Sequence, residues 1–201
     1  KPQVLLVSSS EPAEGKTTIA GTLAAVLSRA GRRTLLIDAD TRRPSVHELF
    51  RIERQPGLVD VLTGQATIDK AIVDSGDRGG PDVLPAGSES PNAINLLGSE
   101  KMRELLILLR GRYDAIVIDS PPVLAGADGR VLSTLADTTV FCLRWARTRR
   151  EVARLALRQL AGAGANVAGI VLTVVDVKKH AQYGYGDSGA YAGDLEKYYA
   201  G

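Results

Sequence analysis

Ser10-Glu11-Pro12-Ala13-Glu14-Gly15-Lys16-Thr17 lies between an apolar run, Val4-Leu5-Leu6-Val7, and a helical pattern that begins near Thr18. A strand feeding a tight loop that opens a helix brings backbone N–H groups and a positive helix end to one point, and such a point binds phosphate. In this reading the backbone of Ala13, Glu14, Gly15, Lys16, Thr17 and Thr18 cradles phosphates, Lys16 reaches the outer ones, and the Thr17 hydroxyl holds Mg²⁺. Ser10 stands where the usual P-loop pattern has its first glycine. The alternative is an ordinary strand–helix turn that contains Gly-Lys-Thr.

Two further strand ends weigh against that alternative. Leu35-Leu36-Ile37-Asp38-Ala39-Asp40-Thr41-Arg42 closes an apolar run with two acids, and alternation puts Asp38 and Asp40 on one side while the chain stays extended. Ile116-Val117-Ile118-Asp119 does the same with one acid. In a parallel sheet such ends gather at one edge, beside the loop. Three acids and Thr17 near a triphosphate predict a Mg²⁺ site, a hard cation that takes oxygen ligands and keeps several waters. Each aspartate can instead cap its own turn.

The rest of the chain follows a β-α-β rhythm. Strands are predicted at 4–8, 34–37, 82–84, 115–118, 139–143 and 167–175, and helices at 18–30, 44–50, 99–109, 129–135 and 149–161, with weaker elements at 58–62 and 68–73. Ile19, Leu23, Val26 and Leu27 are expected to face the core from the first helix, as are Met102, Leu105, Leu106 and Leu109 from the third. The strands are continuously apolar, which marks parallel strands covered on both faces. The fold class is therefore α/β: a doubly wound, mostly parallel sheet flanked by helices, with its site at the carboxyl ends of the strands.

Composition bounds the function. The 201 residues, 44% hydrophobic, suit one domain with a sizeable core, and a formal net charge of +2 gives no argument for a nucleic-acid partner. The single cysteine, Cys142, sits in an apolar run; it excludes a disulfide framework, points to a reducing compartment, and reads as a small core residue. No stretch is long and apolar enough to span a bilayer. The chain begins Lys1-Pro2 without a methionine, and the expectation is a piece of something longer. The domain is expected over 1–177 and a flexible tyrosine-rich tail over 178–201, where Tyr183, Tyr185, Tyr191, Tyr198 and Tyr199 are spaced by small and polar residues. Arg147, Arg150, Arg154 and Arg158 line one helical face opposite Val152, Leu155 and Leu160, as a solvated face or a subunit contact.

Together these pieces resemble the bacterial tyrosine kinases (BY-kinases): Ser10–Thr17 looks like their Walker A motif, Leu35–Arg42 like Walker A′, Ile116–Asp119 like Walker B, and the tyrosine-rich end like their phosphoacceptor cluster. The resemblance implies ATP and Mg²⁺ as cofactors and transfer of the γ-phosphoryl to tail tyrosines, Tyr183, Tyr185, Tyr191, Tyr198 and Tyr199. Lys16, Asp38, Asp40 and Asp119 would be catalytic, and Thr17, Asp38 and Asp119 would hold the metal, Thr17 directly and the acids through water. Asp38 is the first choice for the base that accepts the phenol proton and Asp40 the second. Arg42 either anchors its loop or touches phosphate. The resemblance further implies a ring-like homo-oligomer with transfer between neighbours and a protein-tyrosine phosphatase that reverses it. It implies an activating membrane-anchored polysaccharide chain-length regulator, on the same polypeptide in some relatives. The place would be the cytoplasmic face of the bacterial inner membrane, this piece itself being soluble, with a role in exopolysaccharide or capsule export. The related partitioning and cell-division-site ATPases, the alternative function, carry a lysine where this chain has Glu11. Many relatives end their last strand in an asparagine that reads adenine; Thr173 stands there and leaves base selectivity open. An iron–sulfur carrier of the same broad fold is disfavoured by the lone cysteine.

Overall fold

A computed structural model describes residues 3–74, 79–90 and 92–176. The tail 178–201 and its five tyrosines lie outside the described residues, and the expected boundary at 177 falls at their edge.

Six strands form one sheet: β1 (Val4–Ser9), β2 (Thr34–Asp38), β3 (Asp82–Leu84), β4 (Ala115–Asp119), β5 (Thr138–Arg144) and β6 (Val167–Thr173). Their spatial order is β3-β2-β4-β1-β5-β6, and every ladder between them is parallel. The chain leaves β1 in one direction to form β2 and later returns to its other side with β5, so the loop after β1 lies at the point where strand order reverses. Register sets Asp38 opposite Asp119, and Val7 opposite Asp119 on the other flank. The acids that end β2 and β4 therefore emerge side by side.

The helices are α1 (Lys16–Arg29), α2 (Val46–Phe50), α3 (Leu58–Thr63), α4 (Ile68–Ala71), α5 (Ala93–Leu97), α6 (Glu100–Arg110), α7 (Asp128–Ser133) and α8 (Arg150–Gly162). Alternation along the strands splits the core into two layers. Val7, Leu36, Val117 and Cys142 meet Ala20 and Ala24 of α1 on one face. Leu6, Leu35, Ile37, Ile116 and Ile118 meet Leu58, Leu62, Leu97, Met102, Leu105, Leu106, Leu109 and Leu132 on the other. Phe141 extends that second layer onto Ala156 and Leu160 of α8. Cys142 is fully buried, as its apolar setting predicts, and burial pushes its thiol up to about 12.

Several expectations are corrected. Ile19, Leu23 and Leu27 pack partly buried against the core as expected, but Val26 is 57% exposed, and beyond Lys16 the buried positions of α1 are the small residues Ala20, Gly21 and Ala24. Small side chains let the helix lie close to its neighbours: a Cβ on Gly21 would stand 2.7 Å from Leu49 Cδ2. α1 also begins two residues earlier than expected, at Lys16 itself, with Gly15 as its N-cap. On α8 the inward residues are Ala153, Ala156 and Leu160; Leu155 faces out, near the exposed Arg147, Arg150, Arg154 and Arg158. Strand β6 is an edge whose Ile170 and Leu172 are about half exposed, so coverage on both faces holds for β1, β2 and β4 but not here. Helix α5 has no counterpart in the sequence reading.

Candidate active site

The loop from Ser10 to Gly15 leaves the end of β1 and turns into α1. Ala13 (φ 62°) and Gly15 (φ 79°) both adopt left-handed backbone, which curls the loop into a nest for an anion at the positive end of a fourteen-residue helix. Glycine is required at position 15 twice over: an added Cβ would be strained by φ and would sit 3.2 Å from Thr173 Cβ. The loop, Thr17, Thr18, Asp40, Arg42, Arg43, Ser45, Pro121, Pro122 and Ala125 line a cleft of about 460 Å³, a size that fits a small-molecule ligand.

The predicted residues converge there. Lys16 Nζ lies 2.9 Å from Asp40 Oδ2, with only 11% and 5% of the two side chains exposed. Burial works against the Lys16 ammonium, but Asp119, Asp40 and Asp38 outweigh it and hold its pKa above that of an ordinary lysine. Asp38 accepts backbone hydrogen bonds from Asp40 (3.2 Å), Ser45 (3.1 Å) and Val46 (3.0 Å), so it fastens the start of α2 as well as facing the site. Burial and then the neighbouring Asp119 push its carboxyl up to about 7. Asp119 is fully buried, and neither of its oxygens makes a hydrogen bond of normal geometry among the described residues. Burial raises it to about 6, with the Lys16 ammonium and the Thr17 hydroxyl restraining the rise. Ser45 Oγ donates to Thr17 Oγ1 across 3.2 Å.

These groups fit a magnesium ion. Two buried acceptor atoms on Asp119 with no hydrogen bond of normal geometry, beside a hydroxyl and a second carboxylate, call for a cation or its waters. Among the described residues no group of three or more His, Cys, Asp or Glu is arranged to hold a metal. The three acids therefore make no cage of their own.

Arg42 lies 3.3 Å from the buried Asp128 of α7 while its half-exposed side chain also lines the cleft. Thr18 lines the cleft, whereas the Glu14 side chain is buried beneath the loop. Thr173 donates its hydroxyl hydrogen to the Glu14 carbonyl at 2.8 Å. Sequence reasoning missed Arg43, Ser45, Pro121 and Pro122, although both prolines follow the Asp119 strand directly. No helix among the described residues is long and apolar enough to cross a membrane.

Residues 3–146 match the family model described as an AAA domain. Tyrosine-protein kinase YwqD of Bacillus subtilis (strain 168) is 36% identical over 181 residues, 90% of this chain and 76% of YwqD. Tyrosine-protein kinase etk of Escherichia coli (strain K12) is 34% identical over 182 residues, which is 90% of this chain but 25% of etk. A putative tyrosine-protein kinase in the cps region of Klebsiella pneumoniae is 33% identical over 90% of this chain and 25% of its own length. The solved kinase domain of the E. coli tyrosine kinase ETK superimposes with a TM-score of 0.81 over 85% of this chain and 66% of that one, at 34% identity. Cobyrinic acid a,c-diamide synthase from Mycobacterium smegmatis, solved with bound ADP and magnesium, matches at 25% identity with a TM-score of 0.71, covering 86% of this chain and 74% of that one. The chain thus spans three quarters of one curated relative and a quarter of the other two.

Proposed function

The chain belongs to the AAA-domain P-loop family and, within it, to the bacterial tyrosine kinases, and from that membership we propose that it is an ATP-dependent autokinase acting on tyrosines of its own C-terminal segment. The observation that carries this reading is the convergence of Lys16, Thr17, Asp38, Asp40 and Asp119 on one end of the sheet, beside a cleft of nucleotide size.

Phosphoryl transfer needs alignment and charge neutralisation more than covalent help. The phenolic oxygen of a tyrosine attacks the γ-phosphorus, the bond to the β–γ bridging oxygen breaks, ADP leaves, and the phenol proton passes to a carboxylate. The backbone from Ala13 to Thr18 holds the phosphates, and Lys16 moves from Asp40 onto the outer ones. Thr17 directly, and Asp38 and Asp119 through water, would hold a Mg²⁺ ion, which would supply neutralisation of phosphate charge. Asp38 is the favoured proton acceptor, its carboxylate fixed at the end of β2 by three backbone hydrogen bonds. Asp40 is the second, released when Lys16 turns to phosphate. Arg42 positions the loop through Asp128.

The acceptors are Tyr183, Tyr185, Tyr191, Tyr198 and Tyr199, reached between subunits of a ring-like homo-oligomer. A membrane-anchored chain-length regulator activates the enzyme at the cytoplasmic face of the inner membrane, and a tyrosine phosphatase resets it. The outcome is control of exopolysaccharide or capsule polymerisation and export. Incubation of the protein with Mg-ATP, followed by phosphotyrosine detection, tests the reading. Tail phosphotyrosine in the parent and none in Lys16→Met supports it; none in the parent, with its regulator present, refutes it.

A further inference from the structure

Ala13 adopts φ 62° without being glycine, a strained backbone state for an L-residue that persists only where its surroundings hold it. The holding groups are visible. Glu14, 3% exposed, turns its carboxylate away from the cleft and back along the loop. It accepts from Ser10 Oγ at 2.8 and 3.0 Å and from the Glu11 N–H at 2.8 Å. The third donor is the Thr148 hydroxyl, from the segment joining β5 to α8. Thr148 Oγ1 in turn accepts the Arg144 N–H at 3.1 Å, and the Arg144 guanidinium donates to the Ala13 carbonyl at 3.3 Å.

We propose that Glu14, Ser10 and Thr148 are positioning residues that keep the phosphate loop in its anion-binding curl, with Thr148 as the tie to the β5–α8 segment. The assignment deepens the kinase reading and rests on it, since it concerns how the same loop is kept ready for nucleotide. It also gives the departure at Ser10 a function: where the usual pattern has a glycine, this loop has a hydroxyl that bonds Glu14. The carboxylate closes the loop from inside by taking the Glu11 N–H, and the amides from Ala13 onward are left for phosphate.

The test is the affinity of the full chain for Mg-ADP, measured by titration calorimetry. Thr148→Val keeps the shape of the side chain and removes both hydrogen bonds of its hydroxyl, to the Glu14 carboxylate and from the Arg144 N–H; affinity falls about tenfold. Thr148→Ser stays within about twofold of the parent. Ala13→Gly, placed in the Thr148→Val background, recovers most of the loss, because glycine visits the left-handed region unaided. A general loss of packing would show no such rescue. Ser10→Ala is expected to show the same loss and the same rescue, and replaces Thr148→Val should that variant fail to fold. Parent-like binding by Thr148→Val, or failure of Ala13→Gly to restore binding in both backgrounds, overturns the proposal. A parent that binds Mg-ADP but transfers no phosphoryl defeats only the kinase reading; a parent that does not bind it defeats both.

Discussion

The Lys16 ammonium and the Asp40 carboxylate lie 2.9 Å apart, both nearly buried, at the mouth of the phosphate loop. In the proposed reaction a nucleotide draws Lys16 away from a protein carboxylate as the outer phosphates are neutralised. The pairing holds the ammonium where a phosphate will need it, at the cost of competing with that phosphate.

Asp40→Asn removes the competitor. Its affinity for Mg-free ADP, measured by calorimetry, is expected to rise about three- to tenfold, since the carboxylate paired directly with Lys16 is then gone. An unchanged affinity would mean that the ion pair does not gate the loop.

Asp119 makes the stability of the nucleotide-free protein depend on pH. Its carboxyl titrates near 6 in the fold against an ordinary 3.8. Between those values the native state holds a proton that the unfolded chain has released, so stability falls as pH rises through that window, and the full penalty is present above it. Asp38, raised to about 7, adds a penalty of the same sign that extends to higher pH. Asp119→Asn removes the buried charge without sacrificing a hydrogen bond of normal geometry. In the presence of EDTA its unfolding midpoint is expected to exceed the parent's by about 3 °C or more at pH 8, with the gain shrinking at pH 5. A gain that is the same at both pH values would contradict this account.

Gly15→Ala combines backbone strain with a 3.2 Å contact to Thr173 inside the loop. It is expected to weaken Mg-ADP binding by at least about tenfold and to cost about 1–2 kcal/mol of stability in denaturant titration. Gly31→Ala is the control: Gly31 has φ 81° with no neighbouring atom within 4 Å, so the strain is similar and the binding is untouched.

Phosphorylation of a tail tyrosine adds about 1.5–2 negative charges. Several on one tail repel one another. Light scattering before and after reaction with Mg-ATP is expected to show a fall in assembly mass, and an unchanged mass counts against trans-phosphorylation as the switch for assembly.

The sequence made the centre of the molecule readable and its supports much less so. β1, β2 and β4 were legible because buried parallel strands are continuously apolar, and each ends in the residues the site needs. Asp38 and Asp119 were legible for the same reason, since one parallel register brings both strand ends together. Helix α5 was not, because Ala93-Ile94-Asn95-Leu96-Leu97 is too short to show a helical period. The inward faces of α1 and α8 were misread at Val26 and Leu155, where small alanines and a glycine take the close positions and larger side chains turn outward. The tie from Thr148 to Glu14 joins residues far apart in sequence, and neither carries a pattern that announces the other. Arg42 could be named from its motif, but its partner Asp128 depends on where α7 packs.

The central claim is that one sheet edge assembles a nucleotide, a metal and a tyrosine acceptor for phosphoryl transfer. Mass spectrometry of the full chain after reaction with Mg-ATP, in the presence of its regulator segment, tests it most directly. Phosphate on Tyr183, Tyr185, Tyr191, Tyr198 or Tyr199 in the parent, absent from folded Lys16→Met and folded Asp38→Asn, is the predicted result. Undiminished phosphotyrosine in either variant, or none in the parent, would contradict it.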